Sequence, residues 1–332
     1  MIPTGRGAVF AATAILVLTL SACTSSEPED PVVVGLITKQ EDNPYWVTMR
    51  EVAQDTADDE DVELLTATGT SDVDVDSQVA ALEEMVADGA DGILIAPTDS
   101  TALVPAIESA REAGVIVIAV DTPVDPEDAV DAFFATDNLA AGDLVGRYAA
   151  AKAAELGLEP RVAVLDLAPG IASGELRREG FFAGFGLMQD DPRLVGAVDT
   201  RGDREEAEAA MEQLLTEDPD INVVYAVNEP AAFGALDALE AAGSDLADVV
   251  VVAIDGGCEA IKDGVRPGRI DATSQQYPEN MAREGVRAIA DAVRDGEEPS
   301  GFLDTGVQLI TGAPAADVES EDVAFGVRNC WG

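Results

Sequence analysis

The chain has 332 residues, and its 65 acidic side chains against 19 basic ones give a formal net charge of −46. Such a charge repels nucleic acids and anionic membrane surfaces, so it excludes both as partners. Hydrophobic residues make up 47% of the chain and histidine is absent. This composition indicates ample hydrophobic cores and excludes Ser–His and Cys–His catalytic pairs.

The first 23 residues have the features of an export signal. Arg6 precedes an apolar run, AVFAATAILVLTL, which is too short for a comfortable membrane span, and LSAC follows it. LSAC resembles a bacterial lipobox, which predicts that Cys23 becomes the lipid-carrying first residue of the mature protein. Cleavage by the ordinary signal peptidase is the alternative. Residues 24–31, TSSEPEDP, have the composition of a flexible tether. We therefore expect an exported protein that a lipid anchors to the extracytoplasmic face of the cell membrane.

Two cysteines remain once Cys23 is set aside, namely Cys258 and Cys330. An oxidising compartment favours a disulfide between them. The bridge would close a loop of about 70 residues and would stabilise the fold by roughly 4 kcal/mol, less any strain. Two unpaired buried thiols are the alternative.

Ten short apolar runs alternate with helical patterns along the rest of the chain. The predicted strands are residues 32–38, 62–68, 92–97, 115–121 and 132–137, followed by residues 161–167, 193–200, 223–228, 249–255 and 270–276. Between them, segments such as SQVAALEEMVADG place apolar residues at helical spacing and end on glycine. Continuous apolar strands separated by helices predict an α/β fold with two doubly wound parallel-sheet lobes, each covered by helices on both faces.

Polar or turn-forming residues follow these strands at the point where each strand ends. Such positions are held by Lys39, Pro97, Asp121, Asp137, Asn228, Asp255 and Gln276. Each alone can be the N-cap of the next helix, and this alternative is as strong as the functional one for Asp137. In doubly wound sheets, however, ligands lie outside the carboxyl ends of the strands. Seven such positions from both lobes predict a binding cleft between the lobes.

Sequence motifs for catalysis are missing, and one metal motif is incomplete. The chain has no G-x-S-x-G, Walker A or G-x-G-x-x-G sequence, so we expect a binding protein without a cofactor rather than an enzyme. A glycosidase with two adjacent carboxylates is the enzymatic alternative. Asp72, Asp74, Asp76 and Glu83 have the spacing of a calcium-binding EF-hand loop, but Ser77 stands where that loop needs glycine. A solvated acidic loop, with Ser77 as the N-cap of the following helix, is favoured over a metal site.

An asparagine and two adjacent aromatic residues, NPYW at 43–46, lie directly beyond the first strand in a chain that has only 2 Trp and 4 Tyr. Aromatic rings cover the apolar faces of sugars, while carboxylate, amide and guanidinium groups bond to the hydroxyl rim. We therefore predict that Tyr45 and Trp46 form a stacking platform, with Asn43 beside it. In the alternative, one or both rings pack the start of the first helix. We expect the two side chains to face different directions along that helix.

Several separated motifs follow one another from about residue 31 to the end: NPYW (43–46), AVDTP with Asp121, TDN (136–138) with Asn138, GELRREGF with Arg177 and Arg178, Asn228 at a strand end, DG with Asp255, and QQYP with Gln276. In these motifs and their order, the chain resembles the periplasmic sugar-binding proteins of the ribose-binding type, which feed ABC importers. The sequences GLITK, FFATDNLAAG, IDGGCEAIKDG, DATSQQYP and the terminal CWG look like the fructose-binding branch, whose paired cysteines match Cys258 and Cys330.

The resemblance implies a type I periplasmic binding protein fold, in which a three-crossing hinge joins the two lobes. The crossings would lie near residues 137–139, 276–279 and 304–307. The first lobe would comprise residues 32–137 and 278–305, and the second lobe residues 138–277 and 306–332. The implied ligand contacts are Lys39, Asn43, Tyr45, Trp46 and Asp121 in the first lobe, Asn138 at the crossing, and Arg177, Asn228, Asp255 and Gln276 in the second. Glu229 is a further candidate, although an acid that complements a helix N-terminus is an equal explanation.

Three departures from the ribose-binding pattern speak against ribose itself. Thr122 follows Asp121 where an arginine is usual, so the charge pair that grips a ribose rim is missing. Gly202 stands near the place of a second-lobe aromatic residue, which predicts a one-sided ring sandwich. Strict spacing puts the ribose-type arginine at Glu175, whereas the fructose-binding branch favours Arg177.

The predicted function is capture of a monosaccharide, with fructose as the first choice and ribose, mannose or a polyol as alternatives. The protein would be a monomer that delivers its ligand to an ABC permease. A sugar or polyol sensor of the same fold, which reports to a membrane kinase or receives a quorum signal, is the alternative function.

Overall fold

The structure is a computed structural model that describes residues 1–2 and 31–332. The predicted lipidation site, Cys23, lies outside the described residues. The residues from Pro31 to Gly332 form one compact unit. Within the described part of the chain, no helix is both long enough and apolar enough to cross a membrane.

All ten predicted strands are present, most of them one to three residues shorter than predicted. They are β1 (Val32–Thr38), β2 (Val62–Thr68), β3 (Gly92–Ile95), β4 (Ile116–Val120), β5 (Ala132–Ala135), β6 (Val162–Asp166), β7 (Leu194–Asp199), β8 (Val223–Ala226), β9 (Val250–Asp255) and β10 (Ala272–Gln275). Three further strands were not predicted: β11 (Gly301–Asp304), β12 (Gln308–Thr311) and β13 (Glu321–Asp322). β11 is exposed along its whole length and β13 has only two residues, so neither carries the apolar run that marks a buried strand.

The helices between the strands are α1 (Pro44–Asp59), α2 (Val75–Ala87), α3 (Val104–Glu112), α4 (Asn138–Leu156), α5 (Ala172–Phe185), α6 (Arg204–Glu217), α7 (Glu229–Ala242), α8 (Pro278–Asp295) and α9 (Val323–Asn329). Four of them, α4, α5, α7 and α8, end at a glycine in the left-handed conformation, which is the usual C-terminal signal. The prediction that Ser77 caps α2 is wrong. Asp74 is the N-cap, and its carboxylate accepts a hydrogen bond from the Ser77 amide at 3.1 Å.

The strands form two sheets that belong to different lobes. The first has the order β11-β5-β4-β3-β1-β2, and the second has the order β13-β12-β10-β9-β8-β6-β7. The first sheet is parallel throughout, whereas β12 of the second sheet runs antiparallel to β10. The parallel strands run toward the boundary between the lobes. β12 has the opposite direction because it enters its sheet from that boundary, directly after β11.

The chain passes between the lobes three times. β5 of the first sheet leads through residues 136–137 into α4, which packs on the second sheet. β10 of the second sheet leads through residues 276–277 into α8, which packs on the first sheet. Residues 305–307 join β11 to β12. The predicted fold class with its three-crossing hinge is therefore confirmed, and the exact lobe limits stay a prediction.

Each sheet is buried on both faces, as its continuous apolar strands require. In β1, Leu36 and its neighbour Ile37 are both fully buried but belong to different core clusters on opposite faces. Val224 and Tyr225 divide in the same way in β8 of the second sheet. Because both faces are covered, the polar carboxyl ends of the strands are the part of each sheet left for a ligand.

Candidate functional site

A buried cavity lies between the lobes at the carboxyl ends of the strands. It is lined by Lys39, Asn43, Tyr45, Trp46, Asp72 and Asp121 from the first lobe and by Leu167, Ser173, Arg177, Asn228 and Asp255 from the second. Its volume is about 30 Å³, which is the space that one water molecule occupies. The two lobes thus meet closely around a polar centre.

The aromatic pair is at the first turn of α1, where Asn43 is the N-cap and accepts a hydrogen bond from the Tyr45 amide at 3.0 Å. The rings of Tyr45 and Trp46 lie nearly perpendicular, with centroids 4.7 Å apart. Both line the cavity, so the expectation that they face different directions is wrong. Both also belong to the hydrophobic core of the first lobe. The two rings, in edge-to-face contact, therefore form part of the cavity wall and also pack in the core of the first lobe.

Lys39 and Asp121 form a buried charge pair in the first-lobe wall. The Lys39 ammonium lies 3.4 Å from Oδ2 of Asp121 and donates to the Thr122 hydroxyl at 2.8 Å. It also lies 5.5 Å from the centre of the Trp46 ring. Thr122 stands in place of the ribose-type arginine, and Lys39 reaches Asp121 from the end of β1 as its charge partner in the same lobe.

Asp121 is held in its ionised form. Burial opposes ionisation, but the charges of Lys39 and Arg177 and hydrogen bonds from Thr122 and Tyr45 keep its pKa below the ordinary value. The Tyr45 hydroxyl donates to Oδ1 of Asp121 at 3.0 Å. The φ angle of Asp121 is 63°, a left-handed conformation that costs a non-glycine residue energy and is often kept at functional sites. The carboxylate is thus fixed in charge and in direction.

Arg177 on α5 occupies the centre of the second-lobe wall and is 4% exposed. Its Nε donates to Oδ1 of Asn138 at 2.8 Å, and its Nη1 donates to the Val227 carbonyl at 3.1 Å and to Asp255 at 3.3 Å. Its Nη2 lies 3.8 Å from Asp121 in the first lobe. Burial works against its charge, yet Asp255 and Asp121 raise its pKa above the ordinary value. One guanidinium therefore joins the acidic groups of both lobes.

The two other candidates for the arginine position, Arg178 and Glu175, do not line the cavity. Arg178 pairs with Asp166 at 3.0 Å and is partly exposed, and Glu175 accepts a hydrogen bond from the Gly170 amide. The geometry favours Arg177, which is the position expected from the fructose-binding branch.

Asp255 ends β9 with a φ angle of 113°, so it is the second cavity aspartate with an unusual backbone. Burial raises its pKa to about 6, Arg177 opposes this increase, and Asp121 adds to it. Gln276 donates to Oδ1 of Asp255 at 2.7 Å. Gln276 therefore positions Asp255 and does not itself line the cavity.

Asn228 and Leu167 complete the second-lobe wall. Asn228 accepts from the Ala231 amide at 3.1 Å as the N-cap of α7 and donates to the Gly202 carbonyl at 3.0 Å. A methyl group at Gly202 would lie 2.7 Å from a terminal carbon of Leu167. Leu167 therefore fills the space beside Gly202, and the second lobe provides an aliphatic wall where a one-sided site was predicted.

Several predicted residues lie outside the cavity. Asn138 donates to the Asp121 carbonyl at 3.2 Å and accepts from Arg177, so it acts through these two residues. Glu229 accepts from the Gly257 amide and lines a separate cavity of about 220 Å³, which also touches Asn43 and Asp255. Asp137 is the exposed N-cap of α4, as its alternative interpretation held.

The C-terminal tail contributes a contact that the sequence analysis missed. The structure contains the predicted disulfide between Cys258 and Cys330, with Cα atoms 4.9 Å apart. Next to it, Trp331 lies edge-on against Tyr45 with centroids 5.1 Å apart, and its indole donates to the Gln276 carbonyl at 2.9 Å. The bridge thus holds a second-lobe tryptophan against the first-lobe platform.

Asp72, Leu167 and Ser173 are cavity residues that were not predicted. The sequence marks Asp72 only through its calcium-like spacing, and its place beside Lys39 arises from a loop that no local pattern describes. Ser173 bonds across the lobes to the Thr122 hydroxyl at 2.8 Å. In the described residues there is no group of three or more acidic, cysteine or histidine side chains arranged to hold a metal ion.

Comparison with known proteins agrees with this geometry. Residues 34–298 match the family described as "Periplasmic binding protein domain". The chain is 31% identical over 308 residues to the ribose import binding protein RbsB of Salmonella typhimurium, an alignment that covers 90% of this chain and 97% of the relative.

Two solved structures share the fold. A carbohydrate transporter solute binding protein from Agrobacterium radiobacter in complex with D-arabinose has a TM-score of 0.76 and 28% identity, over 86% of this chain and 96% of the other. An ABC transporter periplasmic solute binding protein from Actinobacillus succinogenes with bound D-allose has a TM-score of 0.74 and 27% identity, over 84% and 97% of the two chains. The chain therefore belongs to the periplasmic binding protein family, as a sugar-binding protein of the ribose-binding type and not an enzyme.

Proposed function

We propose that this protein captures a monosaccharide, with fructose as the first choice, in the cavity between its lobes and delivers it to an ABC importer. One observation carries the proposal: aromatic, acidic, amide and guanidinium side chains from both lobes converge on one buried cavity. These groups match the apolar faces and the hydroxyl rim of a sugar ring.

Each wall has a separate task in this proposal. The carboxylates of Asp121 and Asp255 accept hydrogen bonds from sugar hydroxyls, and Arg177 and Asn228 donate to sugar oxygens. Tyr45 and Trp46 cover one apolar face, and Leu167 covers the other. Charged partners give the stronger hydrogen bonds, so the two aspartates and Arg177 supply most of the selectivity.

Binding in this proposal requires the lobes to move apart. The cavity of about 30 Å³ admits no sugar, since pockets for drug-sized ligands have roughly 300–1,000 Å³. Bending at the three crossings opens the cleft, and the sugar then favours closure because it bonds to both lobes only in the closed form. The closed form presents both lobes to the permease.

The identity of the sugar rests on sequence motifs. Relatives are named for, or bind, ribose, D-arabinose and D-allose, and these sugars are the direct competitors. The motifs from GLITK to the terminal CWG favour fructose, and Thr122 in place of the ribose-type arginine disfavours ribose. Export through the N-terminal signal and a lipid on Cys23 complete the proposal.

Calorimetric titration of the mature chain, residues 24–332, tests the ligand. The panel is fructose, ribose, allose, D-arabinose, mannose, glucose and myo-inositol. Micromolar or tighter binding of fructose, at least tenfold tighter than ribose, supports the proposal. Tight binding of another sugar contradicts fructose, and no binding of any compound contradicts a sugar-binding role for this cavity.

Delivery is tested separately by uptake of radiolabelled sugar in cells that lack the protein. Loss of uptake supports the importer role. Normal uptake, together with a lost transcriptional or chemotactic response, would contradict delivery and support the sensor.

A further inference from the structure

Asp72 lies in the loop between β2 and α2 and lines the cavity beside Lys39 and Asp121. The residue is 8% exposed. Its Oδ1 is buried and has no hydrogen-bond partner among residues 31–332. The two other carboxylates in the cavity wall have protein donors on the oxygens that face the site: Asp121 is bonded by Tyr45 and Thr122, and Asp255 by Gln276 and Arg177.

The loop is fixed at both ends. Next to β2, the Gly69 amide donates to the Thr38 carbonyl at 2.9 Å. A Cβ atom at Gly69 would lie only 2.7 Å from the Lys39 carbonyl oxygen, so a side chain does not fit there. Beyond Asp72, the Asp74 carboxylate caps α2. Asp72 is therefore held in the first-lobe wall by its own loop.

A buried carboxylate oxygen without a donor costs free energy, and the cost is recovered when a donor arrives. Burial raises the pKa of Asp72, and the charge of Lys39 and a side-chain hydrogen bond from Gln40 oppose this increase. The carboxyl thus has partners within the protein, but its Oδ1 has none. The cavity is the direction from which a donor can come.

We infer that Asp72 is a specificity-determining contact, which accepts a hydrogen bond from one hydroxyl of the bound sugar through its Oδ1. This inference rests on the proposed function. It gives the first lobe a second acceptor besides Asp121 and requires a ligand with a donor hydroxyl on that side of the ring. A sugar that lacks this hydroxyl leaves the oxygen unpaired and is rejected.

The test is calorimetric titration of three variants of the mature chain: Asp72→Asn, Asp72→Ala and the matched control Asp76→Asn. Asp76 belongs to the same acidic stretch but is exposed at the start of α2. The titrant is fructose, or whichever sugar of the panel binds the wild type, together with its singly deoxygenated analogues.

We expect Asp72→Ala to weaken binding roughly ten- to hundredfold, as the loss of a hydrogen bond to a charged group does. Asp72→Asn keeps a neutral acceptor oxygen and should weaken binding by a smaller factor. Asp76→Asn should stay within about twofold of the wild type. One deoxy analogue should bind the wild type weakly and be insensitive to Asp72→Asn, because the same contact is already missing. The melting temperature of Asp72→Asn should be unchanged or higher, since an incompletely paired buried charge is removed.

Three outcomes would overturn the inference. Wild-type affinity in Asp72→Asn and Asp72→Ala would exclude a contact, and an equal loss for every analogue would exclude a specific hydroxyl. A parallel drop in affinity and melting temperature would show a structural role. Each of these outcomes leaves the proposed function intact if the wild type binds fructose. If the wild type binds no sugar of the panel, both proposals are contradicted.

Discussion

Arg177→Met tests whether one guanidinium holds the two lobes' acidic groups together. The change keeps an unbranched apolar stem and removes the guanidinium with its charge and donors. Asp121 retains Lys39 as a charge partner at 3.4 Å. Asp255 loses the guanidinium at 3.3 Å and keeps neutral donors alone, such as the side-chain amide of Gln276. The variant thus leaves Asp255 as an uncompensated buried charge.

Breaking a buried ion pair by removing one partner costs about 3–5 kcal/mol. The lost bonds to Asn138 and Val227 add to this cost, while the packing of methionine offsets part of it. We therefore expect the free energy of unfolding at pH 8 to fall by about 4 kcal/mol. Arg147→Met is the matched control because Arg147 makes an exposed pair with Asp143 on α4, and it should cost under about 0.5 kcal/mol.

The double variant Arg177→Met with Asp255→Asn separates charge from packing. Because the unpaired charge is removed, we expect it to recover about 2 kcal/mol of the loss, while sugar affinity stays at least tenfold below the wild type. The measurements are urea unfolding followed by circular dichroism, and calorimetric titration. A single variant as stable as Arg147→Met, or a double variant no more stable than Arg177→Met, would refute the charge argument.

Three further predictions concern the same site. Replacing Cys258 and Cys330 by serine should lower the free energy of unfolding by about 2–4 kcal/mol. It should also weaken sugar binding, because Trp331 is no longer held against the rings of Tyr45 and Trp46. Unchanged affinity in this variant would show that the tail only stabilises the fold. The folded-state pKa of Asp255, about 6, lies above its ordinary value of 3.8, so the folded protein takes up a proton between these values. The contribution of Asp255 to stability therefore falls as the pH rises from about 4 to 6, whereas sugar affinity rises through about pH 6 as the carboxylate acceptor forms. Asp255→Asn is the control and should lose this pH dependence. Affinity that is flat from pH 5 to 8 would contradict the assignment. Asp255→Ala and Trp46→Ala should each weaken sugar binding at least tenfold. Trp46→Ala should in addition lower the free energy of unfolding by about 3–5 kcal/mol, because the ring is part of the first-lobe core. Normal affinity in both variants would place the ligand in a different cleft.

The sequence alone determined the architecture and the majority of the cavity wall. Apolar runs such as residues 32–38 and 249–255 are local signals, because a strand buried on both faces needs an apolar side chain at nearly every position. The residues that end these strands are known as soon as the strands are. Lys39, Asp121, Asn228 and Asp255 were therefore found from local pattern, and all four line the cavity.

Only the tertiary structure decided which polar groups meet. Strand ends alone do not distinguish Asp255, which lines the cavity, from Asp137, which is the exposed N-cap of α4. Asp72 and Trp331 reach the site through a loop and a disulfide, whose paths depend on contacts between residues far apart in sequence. The spacing of apolar residues predicts which side of one strand or helix is buried. The charge balance of the cavity depends instead on distances between charged groups of the two lobes. Those distances are set only when the two sheets pack around the hinge.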